Sequence, residues 1–411
     1  MLTPDYYNKF TCIADKCPIT CCKEWKIAVD ADTNRRWKKL LPPDNVPECR
    51  KNLSAYTTKK DGQHVIGLDA MHRCPFLDDA KLCRLVSAYG DSVLSETCAT
   101  FPREYHTFHN HKEGMLMPCC PAVIDLWRDT LLDFPQVSEP DALFLIRASI
   151  INLIQDTNIS IEEALLESFY ILSELVKNAP ITIAKVTEYF SPASLAELRA
   201  AIHDVELPAA DTWMECNELL QDLSVNYIEE SLYASYLNPL ITLAEQFTVP
   251  NDVKLADFHR QLHTYDILFR NYMANEIFSD LLMPEDTIDD MLLHLEWIAM
   301  EYASIRQSLF LLYSAEGANH LSYETVRDYI VILSRMTGYE DADIREYLKV
   351  DICLSIHFHD DIIFIIMSFA HLFNTAFRCC IAPFRAVNRL CSSFTVFYLL
   401  LSSSLIVDSS T

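Results

Sequence analysis

The residues most able to do chemistry are cysteines near the start of the chain. Residues 17–25 read CPITCCKEW, and Cys12 lies just upstream. Ten of the 15 cysteines fall at or before position 120. The opening MLTPDYYNKF has no basic segment followed by an apolar run, so no secretory signal peptide is expected. In the cytoplasmic, reducing environment that this predicts, clustered cysteines more often bind metal than form disulfides.

The spacing of these cysteines favours an iron–sulfur cluster over a single zinc ion. They follow the order Cys12-x4-Cys17-x3-Cys21-Cys22, then Cys74-x8-Cys83, Cys98 and Cys119-Cys120. Common zinc modules use C-x2-C, because two intervening residues let both thiolates reach one tetrahedral ion, and this sequence has none. The C-x3-C-x2-C triplet of the usual radical enzymes that use S-adenosylmethionine is also missing, since Glu24 stands at its last position. Widely spaced thiolates suit a 4Fe–4S cluster, with zinc or buried free thiols as alternatives.

The adjacent pair Cys21-Cys22 constrains the geometry of any such site. Neighbouring side chains of an extended backbone point to opposite faces. We therefore expect these two thiols to serve different irons of a cluster, or one to bind metal while the other packs.

Several residues beside the cysteines could tune or serve the site. Trp25 could shield a cluster from water, or it could be plain core packing. Arg103 could approach a negatively charged cluster or a substrate carboxylate, or it could form a surface ion pair. His106, His109 and His111 match neither an i,i+4 helical pair nor a zinc finger, so a polar loop is the favoured interpretation over a metal site.

The remaining composition argues against several classes of protein. Only 6 scattered glycines occur, so the glycine-rich loops of dinucleotide- and phosphate-binding folds, including Rossmann-type methyltransferases, are not expected. Residues 1–120 hold 17 basic and 15 acidic residues, a net charge of +2, whereas residues 121–411 hold 16 and 43, a net charge of −27. No nucleic-acid partner is expected, because phosphates are bound by lysine and arginine. The acidic part is either solvated surface or a face for a lysine-bearing partner.

The elements that must position the cysteines change character along the chain. The first 120 residues are irregular, as expected of a fold organised around a metal. After that, apolar residues recur at helical spacing, as in AVIDLWRDTLL and DALFLIRASIINLI. About eight helices are expected, among them 211–228, 254–283, 287–314 and 322–336, with prolines between segments. Ser160 with Glu163 has the spacing of a capping box, Pro192 suits a first helical turn, and Ser322 with Thr325 suits an N-cap.

The sequence thus predicts a mainly α protein in three parts. They are a cysteine-rich metal-binding domain over 1–125, an all-α domain over 126–350 and an atypical apolar tail over 351–411. The tail contains neither Lys nor Glu after Lys349. Membrane contact is expected only if residues 362–407 insert as an anchor; buried helices or strands, or a shifted reading frame, are the alternatives, and the loss of Lys and Glu favours the last.

Longer stretches of the chain resemble the flagellin lysine N-methylases of flagellated enteric bacteria. The resemblance covers roughly 1–345 and is carried by YYNKFTCIADKCPITCCKEWKIAVD, RCPFLDDAKLCRL, CATFPREY, LMPCCPAVIDLW, FRNYMANEIFSDLLMPED and EYASIRQSLFLLYSA. Six of the cysteines also match a broader pattern of zinc- or iron-chelating proteins: Cys17, Cys21, Cys22, Cys74, Cys83 and Cys98. Cys12, Trp25 and the step from Cys120 to Pro121 point to the methylases.

The resemblance implies a protein-lysine N-methyltransferase that acts on flagellin and uses S-adenosylmethionine with an iron–sulfur cluster. The metal ligands would come from Cys12, Cys17, Cys21, Cys22, Cys74, Cys83, Cys98 and Cys120. Two departures from the family stand out, namely Cys119 before Cys120 and the ending after about 350. A lysine must lose its proton before it attacks a methyl sulfonium, and Glu24, Asp30, Glu104 and Tyr105 are candidates by position for taking it. The alternative function is a non-catalytic metal-chelating or redox-sensing interaction protein.

Overall fold

The computed structural model confirms a mainly helical protein. It describes residues 1–60, 62–203, 209–249, 251–316, 320–338, 342–345 and 347. The predicted apolar tail over 351–411 lies outside the described residues. Among the helices that are described, none is both long and apolar enough to cross a membrane.

The first third of the chain contains short elements, as its irregular sequence predicts. Helix α1 begins after Asp30, whose carboxylate accepts a hydrogen bond from the Thr33 amide at 2.8 Å. Two antiparallel hairpins follow, β1 with β2 and β3 with β4. In chain order the elements are α1 (Ala31–Trp37), β1 (Thr57–Lys60), β2 (Gln63–Ile66), α2 (Arg84–Tyr89), α3 (Glu96–Thr100), β3 (Arg103–Thr107), β4 (Lys112–Leu116) and α4 (Pro121–Leu126).

Longer helices make up the rest of the described chain. They are α5 (Ala142–Gln155), α6 (Ile161–Lys177), α7 (Ile183–Tyr189), α8 (Pro192–His203), α9 (Ala209–Glu229), α10 (Ala234–Glu245), α11 (Asp252–His263), α12 (Asp266–Asp280), α13 (Ile288–Glu316) and α14 (Tyr323–Met336). The predicted caps are confirmed where α6 and α14 begin, since Ser160 accepts from the Glu163 amide at 3.0 Å and Ser322 from the Thr325 amide at 3.1 Å.

Two predictions about these helices are wrong. The predicted helix over 254–283 is two helices, because the chain turns at Thr264 and Tyr265 between α11 and α12. Pro239 does not separate segments but lies inside α10. A proline in a helix removes an N–H donor and crowds the carbonyl four residues earlier, and burial of Leu237 and Leu240 against the core stabilises α10 around it.

The apolar residues form two main cores. The smaller one lies within 27–93 and is built around Trp37, Tyr56 and Phe76. The larger one fills the helical region, and it also contains Tyr6, Phe10 and Ile19 from the first segment with Met115 and Leu116 from β4. The start of the chain and β4 are thus packed into the helical core, while residues 27–93 fold beside it. The predicted boundary at 125/126 stays a prediction.

A buried ion pair fastens the β3–β4 hairpin to the helices. Glu113 on β4 is fully buried, and Arg147 on α5 donates to its two carboxylate oxygens at 2.6 and 2.8 Å. Arg147 also donates to the Phe278 carbonyl of α12 at 3.0 Å. This bidentate arrangement is the strong form of an arginine–carboxylate bond, so it fixes where β3 stands against α12.

Substitution of Glu113 tests this connection. Glu113→Ala leaves the Arg147 charge buried without a carboxylate, so we expect the free energy of unfolding to fall by about 3–5 kcal/mol in a urea titration. Asp257→Ala removes an exposed partner of Arg260 and should change the free energy by less than about 0.5 kcal/mol. Equal effects of the two substitutions would contradict a structural role for the buried pair.

Candidate active site

The cysteine segments are brought together by a few backbone contacts rather than by long elements. The amide of Cys74 donates to the Cys22 carbonyl at 2.9 Å, and the amide of Glu24 donates to the His72 carbonyl at 2.9 Å. Glu24 and His72 both have positive φ, 64° and 54°, a conformation that is strained for residues with a side chain. The two loops are therefore held face to face in a defined, strained shape.

All eight predicted metal ligands lie within electrostatic reach of at least one other. The thiol of Cys21 interacts with those of Cys17, Cys22, Cys83, Cys98 and Cys120. Cys74 interacts with Cys22, Cys83 and Cys98, and Cys12 interacts with Cys17. We call these eight residues the thiol cluster. Thiols from segments up to 103 residues apart, from Cys17 to Cys120, thus interact with Cys21.

Cys21 and Cys22 do not point to opposite faces, contrary to the expectation from an extended backbone. The two residues form a turn, and their thiols hydrogen-bond to each other. This bond stabilises the Cys21 thiolate and, against the effect of burial and with help from the Arg335 charge, lowers the pKa of Cys21 to about 7. The same bond, with burial and neighbouring thiolates, raises the pKa of Cys22. The turn therefore lets both thiols face the cluster.

Burial keeps most of the other thiols protonated in the absence of a cation. It raises the pKa of Cys98 to about 11 and that of Cys120 to about 12, and it raises that of Cys74 further. Neighbouring thiolates add to each shift. A bound metal would reverse this balance, because coordination deprotonates a thiol outright.

The donor chemistry fits a cysteine-ligated cluster. The cysteines described by the structure are all free thiols, and soft thiolates are the usual ligands of iron–sulfur clusters and of structural zinc. Within the described ranges, no three His, Cys, Asp or Glu side chains form a group that could hold a metal ion. The metal and its ligands therefore stay a prediction, supported by the type and convergence of the donors.

Trp25 and Arg103 have defined places beside the thiol cluster. The Trp25 indole donates to the Cys21 carbonyl at 2.5 Å and lies 5.3 Å from the Phe101 ring. The guanidinium of Arg103 lies over the rings of Phe10 and Tyr7, at 5.2 and 5.7 Å. Trp25 thus covers the turn that carries the two adjacent thiols, and Arg103 stacks on aromatic rings.

Arg335 joins the thiol cluster to the helices. It lies near the end of α14 and donates to three backbone carbonyls, those of Cys119 at 3.0 Å, Ile19 at 3.1 Å and Thr20 at 3.2 Å. Its charge also acts on the thiols of Cys17 and Cys119. An arginine is always charged, and its N–H donors have a fixed planar arrangement. Arg335 therefore fixes the position of the loop before Cys21 and sets the electrostatic potential there.

A second group of ionisable residues lies next to the thiol cluster. Glu276 and Asp280 from α12, Glu301 from α13 and Glu104 from β3 interact electrostatically with one another. We call these four residues the carboxyl cluster. Burial, reinforced by the neighbouring carboxylates, raises the pKa of Glu276 well above its ordinary value and that of Asp280 to about 7.

The thiol and carboxyl clusters meet at Cys119 and Cys120. Cys119 interacts with Glu104 and Glu276, while Cys120 interacts with Cys17 and Cys21. Pairs of shifted ionisable groups next to a site for a cofactor are typical of active sites. The seam between the β3–β4 hairpin, α12 and the cysteine loops is therefore the candidate active site.

The positional candidates for a base have different places in the structure. Asp30 is used as a helix cap, because it accepts from the amides of Thr33 and Glu96. Tyr105 is exposed and accepts from the Tyr7 hydroxyl at 2.9 Å. Glu24 lies in the cysteine loop, where its charge acts on Tyr233. Of the four, Glu104 alone belongs to the carboxyl cluster.

The three histidines follow the β3–β4 hairpin and its turn. His106 is buried on β3, with Nε2 3.4 Å from Glu104 Oε1, and His111 Nε2 lies 2.9 Å from Glu113 Oε1. His109 is exposed. The interpretation of these histidines as part of a polar loop therefore describes His109. It does not describe His106, which lies on β3 and interacts with the carboxyl cluster.

Sequence reasoning missed Glu276, Asp280, Glu301 and Arg335. The signal for the residues on α12 is an unusual pattern. This helix is buried without interruption from Leu268 to Ser279, although its sequence contains charged and polar residues. A helix that is buried on all sides normally lacks charged residues, and RNYMANE inside such a helix marks a polar site. The burial that makes the pattern informative comes from tertiary packing and is not readable from the residues alone.

The shifted pKa of Asp280 predicts a pH-dependent stability difference. The folded state holds the Asp280 proton up to about pH 7, whereas the ordinary value is 3.8. Between these values the folded state binds more protons, so wild-type stability falls as pH rises and then levels off. Asp280→Asn cannot ionise, so its unfolding free energy relative to wild type should rise from pH 4 to 7 and then stay constant. Urea titrations across this range measure it, and a pH-independent difference would contradict the assignment.

Comparison with known proteins supports the resemblance. A family model described as the FliB lysine N-methylase C-terminal domain matches residues 147–352, half of the chain. The flagellar biosynthetic protein FliU of Salmonella muenchen is 32% identical over 127 residues, which are 29% of this chain and 72% of that protein. No solved structure matches the chain.

Two lysine-N-methylases are also similar to this chain. The proteins from Salmonella typhimurium (strain LT2) and Salmonella choleraesuis (strain SC-B67) are both 32% identical over 151 residues, which are 36% of this chain. The match spans 35% of the length of each of these relatives. The family match extends from α5 through α14 and includes Glu276, Asp280, Glu301 and Arg335. This chain belongs to the FliB lysine N-methylase family.

Proposed function

We propose that the protein transfers methyl groups from S-adenosylmethionine to lysine side chains of flagellin. The observation that carries this proposal is membership of the lysine N-methylase family. The flagellar name of the FliU relative supports flagellin as the substrate. A cytoplasmic location is part of the proposal, because S-adenosylmethionine is the proposed methyl source.

We propose further that the thiol cluster holds an iron–sulfur cluster. Its eight cysteines come from separate segments, five of them interact with Cys21, and Trp25 covers the turn beside it. An iron–sulfur cluster would supply electron transfer or a Lewis-acidic iron. The chain's own contribution is to place these thiols next to a group of buried carboxyls and to hold the loop in register through Arg335.

The protein residues must position the lysine and remove its proton. A lysine ε-ammonium has no lone pair, so it cannot attack the methyl group until it becomes a neutral amine. A positioned carboxylate typically contributes about 10²–10⁴-fold to such a reaction as general base. The carboxyl cluster lies beside the thiol cluster and offers such groups.

A methylation assay tests the proposed reaction. Anaerobically purified protein is incubated with flagellin and S-adenosylmethionine, and the flagellin is then weighed by intact mass spectrometry. We expect mass increments of one methyl group per modified lysine, and none when S-adenosylmethionine is omitted. Absence of the increments with protein reconstituted with iron and sulfide would overturn the proposed reaction.

Cysteine substitutions test the proposed metal site independently of activity. We expect Cys21→Ala and Cys74→Ala to lose bound iron and sulfide and the visible absorption of the cluster. Cys216→Ala, on α9 beside Glu215 and Arg306, is the matched control and should keep the wild-type metal content. Retained metal in either cluster variant removes that cysteine from the ligand set, and zinc without sulfide in the wild type identifies a zinc site.

The alternative, a metal-chelating or redox-sensing interaction protein, uses the same convergence of free thiols. It predicts bound metal in the wild type together with no methyl transfer to flagellin. The two assays therefore separate the alternatives.

A further inference from the structure

The carboxyl cluster differs from two other buried glutamates, Glu113 and Glu167, in its partners. Glu113 and Glu167 are fully buried, and each receives two hydrogen bonds from an arginine, Arg147 or Arg199. Glu276 and Glu301 are 5% and 6% exposed, yet in the described part of the chain no lysine or arginine forms an ion pair with either. Buried charges are normally paired, and burial raises the pKa of both glutamates, so either would ionise more readily beside a bound cation.

The hydrogen bonds within the cluster leave Glu276 the less occupied of the two glutamates. Glu301 accepts from the hydroxyls of Tyr272 and Thr337, and from Ser334 at 3.1 Å. Glu276 accepts from the Asn275 side-chain amide at 3.2 Å. Its charged neighbours are further carboxylates. A positively charged donor would therefore find acceptor positions at Glu276 that the protein does not fill.

A buried histidine gives a second, independent indication of a ligand. His106 on β3 is only 5% exposed, and its Nδ1 has no hydrogen-bond partner. The same ring interacts with Asp280 and Glu104 of the carboxyl cluster. A buried polar atom without a partner is costly, so the ring whose Nε2 lies 3.4 Å from Glu104 leaves one hydrogen bond that a bound group could make.

We propose that the carboxyl cluster is the binding site for the ε-ammonium group of the substrate lysine, with Glu276 as the carboxylate that takes its proton. This inference rests on the proposed function and names the residues that would serve it. The ammonium group carries one positive charge and three N–H donors, which match the surplus of carboxylates. Cys119 interacts with Glu276, and its neighbour Cys120 belongs to the thiol cluster, so a lysine bound here would end beside the proposed cofactor site.

The proton and the methyl group balance in this scheme. Binding of the ammonium favours the ionised form of Glu276, whose own proton leaves to water. One N–H proton of the ammonium then moves to a Glu276 carboxylate oxygen and leaves a neutral amine. The amine lone pair forms the new N–C bond to the methyl group of the sulfonium donor, S-adenosylmethionine. The S–C bond breaks and its electron pair stays on sulfur as a thioether, while the methylated nitrogen carries the positive charge. Glu276 then returns its proton to water.

A binding experiment tests the cation site without requiring methyl transfer. Nα-acetyl-lysine methylamide is titrated into the full chain and observed by ligand NMR, and the norleucine analogue serves as the probe without an ammonium group. We expect wild type to bind the lysine probe at least about tenfold more tightly than the norleucine probe, as a buried charge-assisted bond would give. Glu276→Gln and Asp280→Asn should each remove most of this preference.

Glu174→Gln is the matched control for the binding experiment. Glu174 is a partly buried glutamate on α6 that pairs with Lys177, so this variant should keep the wild-type preference. Circular dichroism and thermal unfolding establish that each variant is folded. Equal binding of the two probes to wild type, no binding of either probe, or an unchanged preference in both folded cluster variants overturns the cation site.

Flagellin methylation separates this inference from the proposed reaction. If wild type methylates flagellin, Glu276→Gln should lower kcat by at least about 100-fold, the lower end of general-base contributions, while Glu174→Gln leaves kcat unchanged. A wild-type rate in folded Glu276→Gln overturns its role as the base. Absence of methylation by wild type overturns the proposed reaction, whereas the lysine preference in binding still decides the cation site.

Discussion

The position of Arg335 is the constraint on which the candidate active site depends. One guanidinium bonds three carbonyls, two in the loop before Cys21 and one at Cys119. Those carbonyls belong to segments about 100 residues apart in the chain, and neither segment is a helix or strand that could hold itself in place. Because three bonds fix a planar fork in both position and orientation, α14 determines where the cysteine loop stands relative to the helical core.

Helix α12 has the corresponding role on the other side of the seam. It is buried on all sides, and its polar side chains donate hydrogen bonds to backbone carbonyls of other segments rather than to solvent. Arg270 donates to the carbonyls of Ile154, Asp156 and Ile159, Asn271 donates to those of Trp127 and Thr130, and Asn275 donates to that of Leu116. Glu276 and Asp280 follow in the same helix without an equivalent partner. The carboxyls of Glu276 and Asp280 thus stand out in a helix whose other buried polar groups bond to backbone carbonyls, which is why the proposed lysine site is placed there.

The sequence predicted the helices and their caps more successfully than the site. Helical periodicity and short-range capping, as at Ser160 and Ser322, are local properties, and they were confirmed. The division between α11 and α12 was missed because the turn at Thr264 and Tyr265 contains neither Gly nor Pro, which are the usual signals. The arrangement of Cys21 and Cys22 was wrong for a related reason, since an extended backbone was assumed where the chain forms a turn.

The cysteines of the site were predictable as a set, because thiols are rare and their clustering is visible in one dimension. The carboxyl cluster was not, since acidic residues are common in the helical region and most of them lie on its surface. Among the residues that the structure describes, Glu276 differs from these because it is buried and forms no ion pair with a basic side chain, and burial is decided by residues distant in sequence. The partner of Glu113, Arg147, and the neighbour of Glu276, Glu301, are both contributed by other helices. Long-range pairing therefore distinguishes Glu113, which has an arginine partner, from Glu276, and the spacing of residues in the sequence does not predict it.

The two clusters impose an electrostatic condition on each other. Thiolates and carboxylates are both anionic, and they are close enough for Cys119 to interact with Glu276 and for Cys120 to interact with Cys21. Without bound cations, the thiols and carboxyls reduce the total negative charge by retaining protons. The pKa values of Cys120, Glu276 and Asp280 are accordingly raised. A cation bound to either cluster would favour ionisation of the other, and by linkage the coupling is reciprocal. The thiol and carboxyl clusters thus share one electrostatic environment, in which protons and any bound cation would neutralise the same negative charge.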